Sequence, residues 1–157
     1  MEPSQATAAP STIPVITLLL VEDDTILQEL YHDRFVRSGF EVIQAFDGMQ
    51  ALEIIQQRKD ITLVLLDLML PKLSGFDVLM QIRGVMKNMT LPIIVVSALS
   101  DIDDQARALQ LGANEYITKG EVLPGTVIEK INKYAVSMPV TSDPAPSDAP
   151  AVQRPTE

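Results

Sequence analysis

The stretches LLLVEDD at Leu18–Asp24 and LVLLDLMLP at Leu63–Pro71 decide the fold of this chain. Each is an apolar run that meets carboxylates: Asp23 and Asp24 close the first, and Asp67 interrupts the second. Runs this short fall far below the ~20 residues that cross a bilayer. Continuous apolar character marks strands buried on both faces, the central strands of a parallel sheet. In such sheets ligands gather outside the carboxyl ends of the strands, so the three acids belong to one rim. Carboxylates ~4 Å apart repel by roughly 4 kcal/mol per pair at an effective dielectric of 20. The rim therefore needs positive charge, and its oxygen donors point to a hard divalent cation.

Outward from these strands the pattern alternates. Ile16–Val21 is predicted as a strand, then Thr25–Ser38 as a helix with Leu27, Leu30, Tyr31 and Phe35 on its apolar face and Gly39 at its end. Glu41–Ala45 reads as a second strand and Gly48–Arg58 as a helix capped by Asp47. Thr62–Leu66 is the third strand, and Ser74 caps a helix reaching about Val85. Ile93–Val96, entered from Pro92, is the fourth; Ser100 or Asp101 opens a helix that stops at Gly112. Glu115–Ile117 and a helix from about Val122 to Val136, with Val127, Ile128, Ile131, Tyr134 and Ala135 on one face, complete five β/α units. The alternation predicts an α/β fold: a doubly wound, five-stranded parallel sheet with five helices and right-handed crossovers. A flavodoxin-like strand order, 2-1-3-4-5, sets the first and third strands side by side and brings Asp23, Asp24 and Asp67 together.

Composition narrows the function. With 157 residues, 46% of them hydrophobic, the chain suffices for one domain with a real core. A formal net charge of −9 argues against a direct nucleic-acid surface, which needs clustered Lys and Arg. The absence of cysteine and the lone His32 exclude thiolate and His-rich zinc sites. No basic segment precedes Val15–Val21, so the expectation is a cytoplasmic protein without membrane insertion. Pro3, Pro10, Pro14, Pro139, Pro144, Pro146, Pro150 and Pro155 all lie in the end segments. Residues 1–14 are accordingly expected to be a flexible segment, 15–136 the folded unit, and 137–157 a disordered Pro/Ala/Ser-rich tail.

Two further groups fall on the same rim: Ser97, directly after IIVV, and Lys119, at the end of EYITK. A carboxylate nucleophile, metal-binding acids, a hydroxyl and an ammonium are what phosphoryl transfer requires, since its catalysis is positioning and charge neutralisation. The motifs VEDD (Val21–Asp24), LLDLMLPKLSG (Leu65–Gly75), VSA (Val96–Ala98) and YITK (Tyr116–Lys119) together resemble the receiver domains of bacterial two-component response regulators. The resemblance implies that Asp67 accepts a phosphoryl group from a sensor histidine kinase or phosphotransfer protein. It implies Mg²⁺ held by Asp23, Asp24, Asp67 and the Met69 backbone carbonyl, with Lys119 and Ser97 on the phosphoryl oxygens. Tyr116 would change rotamer as Ser97 is drawn in, and a downstream protein would read the change. Receivers commonly carry proline after this lysine, where this chain has Gly120.

Other readings of the same residues are weaker. Asp23 and Asp24 taken alone could be helix N-caps. A Mg²⁺-dependent aspartyl phosphatase or phosphotransferase on a similar scaffold would place a second acid two residues after its nucleophile, and that position is Met69. A pseudo-receiver would have lost one of the key positions. A dinucleotide fold would carry G-x-G-x-x-G after the first strand. His32 reads as solvated, and Asp101, Asp103 and Asp104 as a helix start. A homodimer is compatible with the sequence, although no charge pattern on the last two helices specifies one. The chain is expected to be a stand-alone receiver or a piece of a longer protein.

Overall fold

A computed structural model describes residues 14–136. The tail expected over 137–157, and all but Pro14 of the expected N-terminal segment, lie outside the described residues. The strands are β1 (Thr17–Val21), β2 (Glu41–Ala45), β3 (Leu63–Leu66), β4 (Ile93–Ser97) and β5 (Glu115–Thr118). The helices are α1 (Thr25–Arg37), α2 (Gly48–Gln57), α3 (Gly75–Met80), α4 (Ile102–Gln110) and α5 (Pro124–Val136). All strand pairs are parallel, in the order β2-β1-β3-β4-β5.

The alternation of side chains along each strand divides the core between the two faces of the sheet. Leu19, Val21, Val64, Leu66, Ile93 and Val95 join one buried cluster with Ala51, Ile55, Phe76 and Leu79. Leu18, Leu20, Leu63, Leu65, Ile94 and Val96 join the other, with Phe35, Val127 and Ile131. Both faces are thus covered, which is why the central strands read as unbroken apolar runs. Among the described residues no helix is long and apolar enough to cross a membrane.

Two local expectations need correction. Leu30, expected on the apolar face of α1, is 59% exposed, whereas Gln28 is fully buried. Gln28 lies three and seven residues before Tyr31 and Phe35, so it shares their stripe, and Leu30 falls off its edge. The helix expected to run from Ser74 to Val85 is α-helical only to Met80 and continues as a π-helical turn over Gln81–Val85. Within that turn Arg83 is buried, donating to the carbonyls of Asn88 and Gly112 and to Asn114 Oδ1. The widened turn accompanies this anchoring of the segment ahead of β4.

Candidate functional site

The β1–β3 register puts Val21 opposite Leu66, so the next residues, Glu22 and Asp67, stand side by side at the strand tips. Both are buried, at 3% and 5% exposure. Glu22 is tied to β2 by its N–H, which donates to Ala45 O at 3.1 Å, and Asp67 to β1 by its N–H, which donates to Val21 O at 3.0 Å. From the end of β5, Lys119 Nζ donates to both acids, 2.5 Å to Glu22 Oε2 and 2.8 Å to Asp67 Oδ2. The lysine's own N–H donates to Ser97 O at 2.8 Å, which fixes its start on the neighbouring strand.

These groups shape one another's ionisation. Burial pushes the Glu22 carboxyl up, against the opposing hydrogen bond from Lys119. For Lys119 burial disfavours the charge, yet the hydrogen bonds to Asp67 and Glu22 prevail and its pKa lies above the ordinary lysine value. Lys119 therefore stays an ammonium among acids.

Carboxylate oxygens of Glu22, Asp23 and Asp67 all lie within 4.8 Å of one another. Three carboxylates against one ammonium leave the rim with more acidic than basic groups. An all-oxygen donor set carrying that surplus fits a hard divalent ion. Asp24 is directed elsewhere: its Oδ1 accepts from the N–H groups of Ile26 (2.9 Å) and Leu27 (3.1 Å), capping α1. The structure thus brings Glu22 and Asp23, rather than Asp23 and Asp24, beside Asp67, because Glu22 is the first residue past the end of β1. The signal lay in the sequence: the first residue past a buried strand is the one beside the next strand's tip. A missed second residue is Gln28, whose side chain lies beneath this pair.

The loop after Asp67 folds back on itself. Met69 N–H donates to Asp67 Oδ1 at 3.1 Å, while the Met69 side chain is exposed. Gly75 N–H donates to Leu68 O at 3.0 Å, and a Cβ at Gly75 would stand 2.3 Å from Asp67 O. Only glycine allows that approach. Ser74 caps α3 by accepting from Asp77 N–H at 3.2 Å, and Lys72 reaches across to Asp47 at 3.1 Å.

On the other flank, Ser97 ends β4 fully buried, and Leu99 N–H donates to its Oγ at 3.4 Å. Tyr116 is half-buried with its hydroxyl donating to Leu99 O at 2.7 Å, so it spans from β5 to the β4–α4 loop. Burial raises its phenol pKa, opposed by a hydrogen bond with Ser97. Among the described residues no peptide is cis, and Gly120 follows Lys119 with φ +85°, a left-handed turn where the common proline could not sit. Beneath Asp67 a cavity of about 10 Å³ is lined by Tyr31, Phe35, Leu65, Val96 and Val127, room for one water at most.

The family model of the response regulator receiver domain matches residues 18–132, all of this sheet but its first residue and nearly all of its helices. The chain belongs to the receiver domain family. This receiver is 40% identical over 102 residues to a probable transcriptional regulator, ycf27, of Porphyridium aerugineum, covering 65% of the chain and 41% of that protein. It is 34% identical over 131 residues to the ycf27 protein of Guillardia theta, covering 80% and 50%. The receiver chain spans about half the length of the curated relatives it matches. Among solved structures, the receiver domain of Francisella response regulator 1452 superposes with a TM-score of 0.71 at 26% identity, over 77% of this chain and 97% of that one. Response regulator TrrA of Thermotoga maritima, solved with Mg²⁺ and BeF, gives 0.68 at 28% identity, over 76% and 99%.

Proposed function

We propose that Asp67 is the phosphoacceptor of a two-component relay and that phosphorylation switches the contacts this receiver makes with another protein. The observation that carries the reading is the single ammonium of Lys119 bridging Glu22 and Asp67 beside a third carboxylate, Asp23. An Asp67 carboxylate oxygen attacks the phosphorus of a phosphohistidine on a kinase or phosphotransfer partner. The new O–P bond forms as the P–N bond breaks, and its electron pair returns to the partner's imidazole. Glu22, Asp23, Asp67 and the Met69 backbone carbonyl would hold Mg²⁺, which when bound neutralises charge on the transferring group. Asp24 has the role of helix cap in this reading.

The added phosphoryl group carries about −1.5 to −2 charges and three acceptor oxygens. Lys119 meets one oxygen and Ser97 Oγ donates to another, which draws the β4 end toward Asp67. Tyr116, bonded to the same loop through Leu99 O, leaves that carbonyl and turns inward. Its surroundings then differ in the two states, and a partner with unequal affinity for them completes the switch. The two relatives named above are probable transcriptional regulators.

The reading is tested by backbone amide NMR with Mg²⁺ and beryllofluoride, a phosphoryl mimic. The expected result is a set of shifts at Asp67, Ala98 and Tyr116 that require both additions and vanish in Asp67→Asn. A wild-type spectrum unchanged by the mimic overturns the switch.

A further inference from the structure

Gln28 is the only polar residue of α1 that is fully buried, and its position bears on the acid pair. Its Nε2 shares two N–H groups among three carbonyls, Ala45 O at 2.9 Å, Glu22 O at 3.1 Å and Leu20 O at 3.3 Å, at the carboxyl ends of β1 and β2. Its Oε1 is buried with no partner. The amide orientation is thereby fixed, since the reverse would face an oxygen toward three carbonyl oxygens.

The Glu22 carbonyl belongs to the peptide unit that joins Glu22 to Asp23. Holding that carbonyl fixes where the chain leaves the end of β1, and with it the Cα positions from which the Glu22 and Asp23 side chains start. The Glu22 side chain has other restraints, Lys119 and the Asp24 N–H. The Asp23 carboxylate has none: among the described residues it takes part in no hydrogen bond or ion pair, and it is exposed. Its closeness to Glu22 and Asp67 is opposed by like-charge repulsion, so what favours it is the place the backbone gives Asp23 at the strand tip.

We propose that Gln28 is a positioning residue for cation binding: its amide clamps the Glu22–Asp23 peptide and so aims the Asp23 carboxylate at Asp67. The inference rests on the metal reading given above. It assigns to a buried side chain on α1 control over ligand geometry at a rim it does not reach. Removing an outer group that orients metal ligands typically weakens metal binding by about 10–100-fold.

The test is a Mg²⁺ titration of the full chain followed by amide NMR, alongside thermal melting, for wild type and Gln28→Met, each with Asp23 intact and with Asp23→Asn. Gln28→Met keeps length and loses the donor; it is expected to stay folded and to bind Mg²⁺ about tenfold or more weakly. With Asp23→Asn the aimed carboxylate is already gone, so Gln28→Met should there change affinity by less than about threefold. A folded Gln28→Met with wild-type affinity overturns the proposal, as does an equal loss in the Asp23→Asn background. Should Gln28→Met not fold, Gln28→Asn, which keeps the amide but falls one methylene short of the three carbonyls, is judged by the same two criteria. A wild-type chain that does not bind Mg²⁺ refutes the metal reading itself, a result distinguishable from the others.

Discussion

Glu22, Asp23 and Asp24 are three consecutive acids with three different environments. Glu22 is buried and held by Lys119, Asp23 is exposed beside Glu22 and Asp67, and Asp24 spends its carboxylate on the first N–H groups of α1. These environments separate their effects under mutation. Glu22→Gln is expected to weaken Mg²⁺ binding by about tenfold or more. Asp24→Ala is expected to lower unfolding free energy by about 0.5–2 kcal/mol, the worth of an N-cap, with Mg²⁺ affinity close to wild type. Mg²⁺ titration and urea denaturation of both variants check this, and the opposite pattern would restore Asp24 to the metal site. An acid cluster was legible in the sequence, because buried strands that run straight into carboxylates gather negative charge at one rim. The choice among adjacent acids stayed open to a one-residue slip. Strand pairing sets Val21 against Leu66 and so stands Glu22 beside Asp67, and that register is a tertiary fact.

At the scale of elements, the loop between β3 and α3 shows how local sequence serves the site. Ser74 and Asp77 cap α3, and Gly75 lets the helix start against the backbone of Asp67. Gly75→Ala would drive a methyl group into the Asp67 carbonyl, an overpacking expected to cost about 1–3 kcal/mol and to move the Asp67 amide resonance. Gly84→Ala, with open space around it, is the control and should leave stability unchanged or slightly higher. Urea unfolding of the two variants makes the comparison; equal stabilities would contradict the close approach. Strand and helix positions were readable to within about two residues, since periodicity and caps are local signals. The π-helical turn and the burial of Gln28 were not. Each depends on what lies across the interface: the carbonyls of Asn88 and Gly112 for Arg83, and those of β1 and β2 for Gln28.

For the whole molecule, the sheet keeps its two apolar clusters apart and collects every group of the site on one rim. Four strand ends contribute: Glu22 and Asp23 after β1, Asp67 after β3, Ser97 ending β4 and Lys119 after β5. Strand order 2-1-3-4-5 is what makes residues 97 positions apart in sequence, Glu22 and Lys119, hydrogen-bonded neighbours. This convergence was foreseeable from the β/α alternation, because parallel sheets admit few topologies and all of them align the carboxyl ends. The central claim is that the surplus negative charge of this rim receives one more anion, on Asp67. It is tested most directly by incubating the chain with acetyl phosphate and finding the modified residue by mass spectrometry of the intact and digested protein. The account predicts one phosphoryl group, on Asp67, formed only with Mg²⁺ and lost in Asp67→Asn. Phosphorylation at another residue, or at an equal rate with the metal chelated, would contradict it.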